Sequence, residues 1–262
     1  MSGIWIYCVI AGALGGFLQG LLGVGMGLVI VPLLTFLLPY YGVPDAMAIH
    51  IAIATSMGAI AISSIASFLS HHSRGNVLWH IFYRMVVFSL VGSCLGAIAA
   101  GFISPALLSK IFAIFMFFTA FRLFRKKTNQ SVEMHDVALS QPLLSVGGLT
   151  IGIVASIIGI GGGLFMVPFL HWQKISMRQA VGTSTLLSLP VAFMGTVTYM
   201  LTGDTGLPMM VGYLAWPLLI AISIGSVFFA PLGAKLSSTL SGVLLQRLFA
   251  TSVLLVGIKM LI

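Results

Sequence analysis

Long apolar runs divide this chain. No Lys, Arg, Asp or Glu occurs from Met1 to Pro44, and the runs Ala46–Ser73, Met85–Ser109, Val137–Gln173, Gln179–Gly203 and Thr205–Ala234 lack them as well. A helix needs about 20 apolar residues to cross a bilayer core, and these runs are long enough for that. Membrane barrel strands would alternate apolar and polar positions in stretches of about ten. These runs do not alternate, so the pattern predicts helices. They are expected at 3–22, 28–39, 46–70, 82–101 and 106–124, and again at 142–158, 164–172, 178–201, 209–233 and 240–260. Glycine-rich breaks separate the first two segments of each set, at 23–27 and 159–163.

Composition gives the solvent. Of 262 residues, 59% are hydrophobic and 6% charged, against about 25% charged in a soluble domain. Lipid must cover most of the surface, and lipid admits only helices or closed barrels. The fold class expected is an all-α polytopic protein of the cell inner (plasma) membrane. The N-terminus lacks a basic region before its apolar run, so it does not read as a cleaved signal peptide. The net charge of +8 comes from basic residues at span ends, where orientation requires them, and nucleic acid is not an expected partner. Cys8 and Cys94 form no C-x-x-C pair, so neither a disulfide framework nor a metal centre is expected.

The chain is duplicated. Leu22-Gly-Val-Gly-Met-Gly-Leu-Val-Ile-Val-Pro32 returns as Ile158-Gly-Ile-Gly-Gly-Gly-Leu-Phe-Met-Val-Pro168, identical at six of eleven positions and displaced by 136 residues. Ala54-Thr55-Ser56 returns as Gly182-Thr183-Ser184, and Gly92-Ser93 as Gly225-Ser226. Lys110-Ile-Phe-Ala113 returns as Arg247-Leu-Phe-Ala250. The order is kept throughout. The division expected is a first transmembrane repeat at 1–124, a charged cytoplasmic linker at 125–140 and a second transmembrane repeat at 141–262.

Charge decides how each broken segment is threaded. If it enters and returns as a hairpin, three full spans follow in each half. Arg74, Arg84, Arg122, Arg125, Lys126, Lys127, Lys174, Arg178, Lys235 and Arg247 then share one face, and only Lys110 and Lys259 lie on the other. That asymmetry suits a cytoplasmic face. If each broken segment crosses once, the bias mostly disappears. Three crossings per half is an odd number, so the second repeat is expected upside down relative to the first. Inverted repeats of this kind are a common build of secondary transporters.

The glycine breaks with their following prolines, Gly23-Val-Gly-Met-Gly27 to Pro32 and Gly159-Ile-Gly-Gly-Gly163 to Pro168, and the Thr55-Ser56 and Thr183-Ser184 pairs resemble the TauE/SafE sulfite exporter family. The resemblance covers nearly the whole chain. The first copy departs from the pattern at Met26, where a third glycine is usual, and at Ala54 in place of glycine. The resemblance implies a secondary transporter of small sulfur-containing anions such as sulfite, sulfoacetate or related organosulfonates, and an exporter by alternating access. A passive anion channel and a non-transporting membrane assembly or sensor subunit are the alternatives. A homo-oligomer stays open.

Closely spaced glycines can turn backbone amides into a concave nest for an anion, and a helix starting just after it adds the positive end of its dipole. The expected substrate-binding set is Gly23, Gly25, Gly27, Thr55 and Ser56 with Gly159, Gly161, Gly162, Gly163, Thr183 and Ser184. Gln19 and His50 are further candidates, the histidine as a proton carrier. Hydroxyls can donate to an anion without a buried counter-charge, whereas intramembrane Ser and Thr also often bond their own helix. Gly12, Gly16 and Gly20, and Gly148 and Gly152, have the spacing of helix-packing glycines. His71, His72 and His80 are expected at a solvated interface. Asp45, Glu133, Asp136 and Asp204 fall outside the predicted spans, which argues against a cation cage and for an anionic substrate. No Walker A motif or catalytic constellation is present, so neither an enzyme nor a bound cofactor is expected.

The threading can be tested directly. Cysteine at Thr205 is expected to react with an impermeant thiol reagent from outside the cell, and cysteine at Thr128 only after the membrane is opened. The reverse pattern would overturn the hairpin assignment.

Overall fold

The computed structural model describes residues 2–112, 114, 140–237 and 251. All of the expected segment 240–260 except residue 251, most of 106–124 and nearly all of the linker lie outside the described residues. Among the described residues eight fully bounded α-helices carry the fold: α1 (Ser2–Leu22), α2 (Gly27–Leu37), α3 (Asp45–His72), α4 (Trp79–Gly101), α5 (Gln141–Ile158), α6 (Gly163–Trp172), α7 (Met177–Thr202) and α8 (Trp216–Ser237). Six of them, all but α2 and α6, are long and apolar enough to cross a membrane. The protein is a multi-pass, all-α membrane protein.

Most expected boundaries fall within three residues of the observed ones. The exception is the expected helix at 209–233, whose true start is Trp216. A short antiparallel hairpin precedes it, with Met210 opposite Ala215 and Val211 opposite Leu214. Its backbone explains the delay. Met209 and Gly212 both have positive φ, at 60° and 57°, which no helix accommodates. Pro217 then stands at the second helical residue, where its missing N–H costs nothing.

Each glycine break is a hairpin. A Cβ placed on Gly15 of α1 would meet Met26 at the start of α2, and Ile10 and Leu14 share a surface groove with Val29, Pro32 and Leu33. The second arm thus folds back along the first. The other copy repeats this, since a Cβ at Gly147 of α5 would meet Phe169 of α6.

Small residues set the main helix contacts. Gly12, Gly16 and Gly20 of α1 lie against the backbone of Ile222, Ser226 and Ala230 on α8. Gly225 and Gly233 of α8 lie in turn against the carbonyls of Val9 and Phe17. Numbering rises together on both helices, so α1 and α8 run parallel. The same interface occurs between α4 and α5: Gly92 and Gly96 approach the carbonyls of Leu149 and Ile153, and Gly152 approaches that of Ser89. In lipid, helix association relies on such close backbone approach, because lipid tails are as apolar as leucine.

The two central helices, α3 and α7, run in opposite directions. Gly20 of α1 accepts a hydrogen bond from His71 at the C-terminal end of α3, and three residues later Gly23 accepts one from Ser184 near the N-terminal end of α7. At the other hairpin, Ser156 is bonded by Tyr199 near the C-terminal end of α7, and Gly159 by Ser56 in the N-terminal half of α3.

Gly16→Val is expected to lower the thermal unfolding midpoint in detergent, since overpacking costs about 1–3 kcal/mol. Gly101→Ala, with nothing within 4 Å of the added Cβ, is expected to leave the midpoint unchanged or raise it. Equal midpoints for wild type and Gly16→Val would remove the packing role of this stripe.

Candidate functional site

A helix leaves its last carbonyls without partners, and no water reaches them in a bilayer. The breaks after α1 and α5 therefore create a specific demand for donors, which the two central helices supply, the serines across the repeats and His71 and Tyr199 within them. Ser56 Oγ of α3 donates to the Gly159 carbonyl at 3.0 Å, and Ser184 Oγ of α7 donates to the Gly23 carbonyl at 3.1 Å, sharing its proton with the Val181 carbonyl of its own helix at 2.8 Å. Farther along the same helices, His71 Nε2 donates to the Gly20 carbonyl at 3.0 Å, and Tyr199 Oη donates to the Ser156 carbonyl at 2.9 Å. The carbonyls in each pair stand 136 residues apart and the donors 128 apart. These are thus two copies of one clasp.

The threonines do a different job. Thr183 Oγ1 accepts the Leu78 N–H at 3.0 Å, and Thr55 Oγ1 accepts the Ala215 N–H at 3.2 Å. Leu78 and Ala215 immediately precede α4 and α8, so each threonine satisfies a donor at the start of a helix in the other repeat. Thr55, Ser56, Thr183 and Ser184 are fully buried. The two serine hydroxyl protons are committed to carbonyls. The two threonines serve as acceptors in these contacts, so their own O–H protons remain to be given.

The breaks meet each other directly. A Cβ on Gly27 would run into the Gly159 carbonyl, one on Gly163 into the Gly23 carbonyl, and one on Gly25 into the Ile160 carbonyl. Val24, Met26 and Ile160 are buried in this seam. The expected site glycines are therefore brought together, but by backbone contact and not around an open space.

The two breaks differ in conformation at one pair of positions that the sequence marks. Gly162, which precedes α6, has φ 84°, whereas its counterpart Met26, which precedes α2, has φ −65°. A β-carbon is strained at positive φ and free at negative φ. The first break therefore accepts a methionine that the second could not.

Gln19 and His50 lie apart from the seam's polar clasp. Gln19 Nε2 donates to Ser64 Oγ, and Ser63 Oγ donates to Gln19 Oε1, which joins α1 to α3. His50 Nε2 donates to the Ala100 carbonyl at 3.1 Å, and its ring stacks on Tyr213 with centroids 5.2 Å apart. His72 and His80 are exposed as expected, but His71 is buried. The expectation of a solvated His71 fails because the freed Gly20 carbonyl draws the ring inward. Sequence reasoning passed over Tyr199 as well. The repeat offset of 128 that aligns Thr55 with Thr183 also aligns His71 with Tyr199, and that was the available signal.

Ser56→Ala and Ser184→Ala are each expected to destabilise the fold by about 1–3 kcal/mol, the cost of an unsatisfied buried carbonyl. Thr183→Val should cost a similar amount through the Leu78 N–H, and Thr183→Ser should restore it. Thermal unfolding in detergent measures all four, and wild-type midpoints for both serine variants would contradict the clasp.

Comparison with known proteins agrees with this architecture. The profile of the family described as Sulfite exporter TauE/SafE matches residues 8–260. A protein of Haemophilus influenzae named "Probable membrane transporter protein" is 34% identical over 260 residues, covering 97% of each chain. A "Probable membrane transporter protein" of Methanocaldococcus jannaschii is 28% identical over 255 residues, covering 97% of this chain and 94% of its own. A Bacillus subtilis protein named "Probable membrane transporter protein YdhB" is 27% identical over 251 residues, covering 94% and 96%. No solved structure matches the chain. With a profile match over nearly its full length and a relative above 30% identity across it, the chain belongs to the TauE/SafE sulfite exporter family.

Proposed function

We propose that this protein is a secondary transporter of the plasma membrane that exports small sulfur-containing anions such as sulfite, sulfoacetate or related organosulfonates by alternating access. The anion would be held where the two glycine breaks meet. The observation that carries this reading is the reciprocal clasp, in which two glycine-broken hairpins touch tip to tip between oppositely directed central helices. Broken helix ends at a repeat interface are where inverted-repeat transporters bind their substrates. The reading takes the repeats as inverted across the bilayer, with the linker cytoplasmic.

The chemistry of the seam suits an anion. The amides of Gly27 and Leu28, and of Gly163 and Leu164, open helices α2 and α6, and a helix supplies no internal carbonyl for its first N–H groups. These positions are buried and lie at the positive ends of helix dipoles. The Thr55 and Thr183 hydroxyls are fixed by the N–H groups they accept, so each can turn its proton toward a ligand. Neutral donors of this kind replace an anion's water without a permanent counter-charge in the membrane. Because the breaks touch, loading requires the hairpins to separate. The serine contacts to Gly159 and Gly23 are among those that must open.

Reconstitution tests the reading. Proteoliposomes are expected to take up labelled sulfite saturably and to show counterflow when preloaded with it. Thr55→Val with Thr183→Val should weaken binding by about ten- to a hundredfold, the worth of a hydrogen bond to a charged group, while Thr55→Ser with Thr183→Ser should keep it. Affinity within twofold of wild type in the folded double valine variant would remove the threonines from the site. Unitary conductance without counterflow would indicate a channel, and no sulfur-anion flux would indicate a non-transporting subunit. His50→Ala should retain any proton-linked flux, because His50 is tied to Ala100 and Tyr213 away from the seam.

A further inference from the structure

Three of the clasp's four donors keep one protonation state near neutral pH. Ser56 and Ser184 are identical, and Tyr199 is a phenol that gains no proton between pH 5 and 8. The fourth donor, His71, is a titratable ring at the position equivalent to Tyr199.

The surroundings of His71 accommodate only one of its two protonation states well. The Gly20 carbonyl is an acceptor, so Nε2 carries the ring's hydrogen, and in the neutral ring Nδ1 is then a bare acceptor. His71 is 1% exposed, and Nδ1 is buried with no partner. Ser67 lies four residues earlier, so it shares a face of α3 with His71. It is fully buried, and its Oγ is likewise without a partner. Above Ser67 on the same helix, Ser63 and Ser64 bind Gln19, and Ser56 binds the second break. A buried polar stripe therefore runs along α3 from His71 to the seam, with two unpaired polar atoms at its outer end.

A second proton on His71 would leave Nε2–H on Gly20 but add an N–H and a positive charge in a buried place where, among the described residues, no acceptor lies within hydrogen-bond distance of Nδ1. Among the described residues the titratable and charged groups at this end include His72 on α3, Arg74 on the following connection, His80 and Arg84 on α4, His171 on α6, Lys174 on the connection to α7, Arg178 on α7 and Lys235 on α8. Residues 9–22 of α1 and all of α2 contribute none. Among the described residues the carboxylates lie elsewhere, with Asp45 opening α3 at its far end and Asp204 just beyond the far end of α7. Among the described residues nothing at this end offers a protonated imidazole a counter-ion. Water could, once α1 and α3 part.

We propose that His71 is the proton-binding site of the transport cycle: the neutral ring latches Gly20 and keeps α1 closed on α3, and proton binding releases that latch and opens the stripe from His71 to Ser63 to water. The proposal rests on the transport reading above and deepens it by naming its coupling ion. It also makes the two gates unequal, because the Tyr199 latch on Ser156 cannot respond to pH.

The test is made on the full-length chain in lipid nanodiscs, with Cys8→Ala and Cys94→Ala to remove other thiols. Ser67→Cys reports on the stripe, and Ser73→Cys on the exposed connection serves as reference. The ratio of their rates with a small thiol reagent corrects for the loss of thiolate in acid. The ratio is expected to rise about tenfold from pH 8 to pH 5.5, within the range of typical coupling between sites. In His71→Tyr, which copies the other repeat, and in His71→Gln it should stay flat. A flat ratio with His71 present, or a rise that persists in whichever of the two variants folds, overturns the proposal. The measurement needs no substrate. Sulfite flux combined with a flat ratio would leave transport standing and remove His71 as its proton site, and an acid-dependent ratio without flux would do the reverse.

Discussion

A helix that stops inside a membrane exposes carbonyls that water cannot reach. This chain stops two helices so, after Leu22 and after Ile158, and much of its central architecture answers that demand. Gly20, Gly23, Ser156 and Gly159 each receive one side-chain hydrogen bond, and every donor comes from α3 or α7. The central helices therefore cannot move relative to the hairpins without exposing a carbonyl. Each unsatisfied group costs about 1–3 kcal/mol, enough to hold the arrangement and small enough for a ligand or a proton to repay. Free-energy differences of that size are what differential ligand or proton binding can shift.

The contacts around the clasp divide into rigid and breakable sets. Between α1 and α8, and between α4 and α5, glycines bring backbones together with almost no side chain between them. Those pairs are suited to move as units. The seam is joined by glycine backbone and by serine hydroxyls, with Val24, Met26 and Ile160 buried in it and Ile53, Ile60 and Val181 of the central helices packed on its glycines. It is a small contact between large packed bodies, which favours hinge or rocking motion there over motion within the bodies.

Much of this was legible in the chain. The repeated glycine motif placed both breaks, the charge split chose the hairpin, and the four-residue glycine spacing marked the α1 and α5 interfaces. What stayed hidden shares a physical cause. Hydroxyl and imidazole groups here bond to backbone carbonyls far away in sequence, and a carbonyl leaves no mark in a sequence. The Thr-Ser pairs were read as ligand groups. The serines prove to serve the opposite hairpin, and the threonines cap α4 and α8. His71 looked solvated because it ends an apolar run beside Arg74, yet the orphaned Gly20 carbonyl draws it inside. The late start of α8 was missed because Met209 gives no sequence sign that its φ is positive.

The account turns on whether the seam must part for substrate to pass. Val24 and Ile160 flank the contact between the two breaks. Cysteines at both positions, in a chain lacking Cys8 and Cys94, are treated with an oxidant or a short reducible cross-linker and the joined fraction is read by mass spectrometry. Sulfite flux through proteoliposomes should then fall in proportion to the joined fraction and return on reduction. Flux at the full rate through a population whose seam is completely cross-linked would contradict the account.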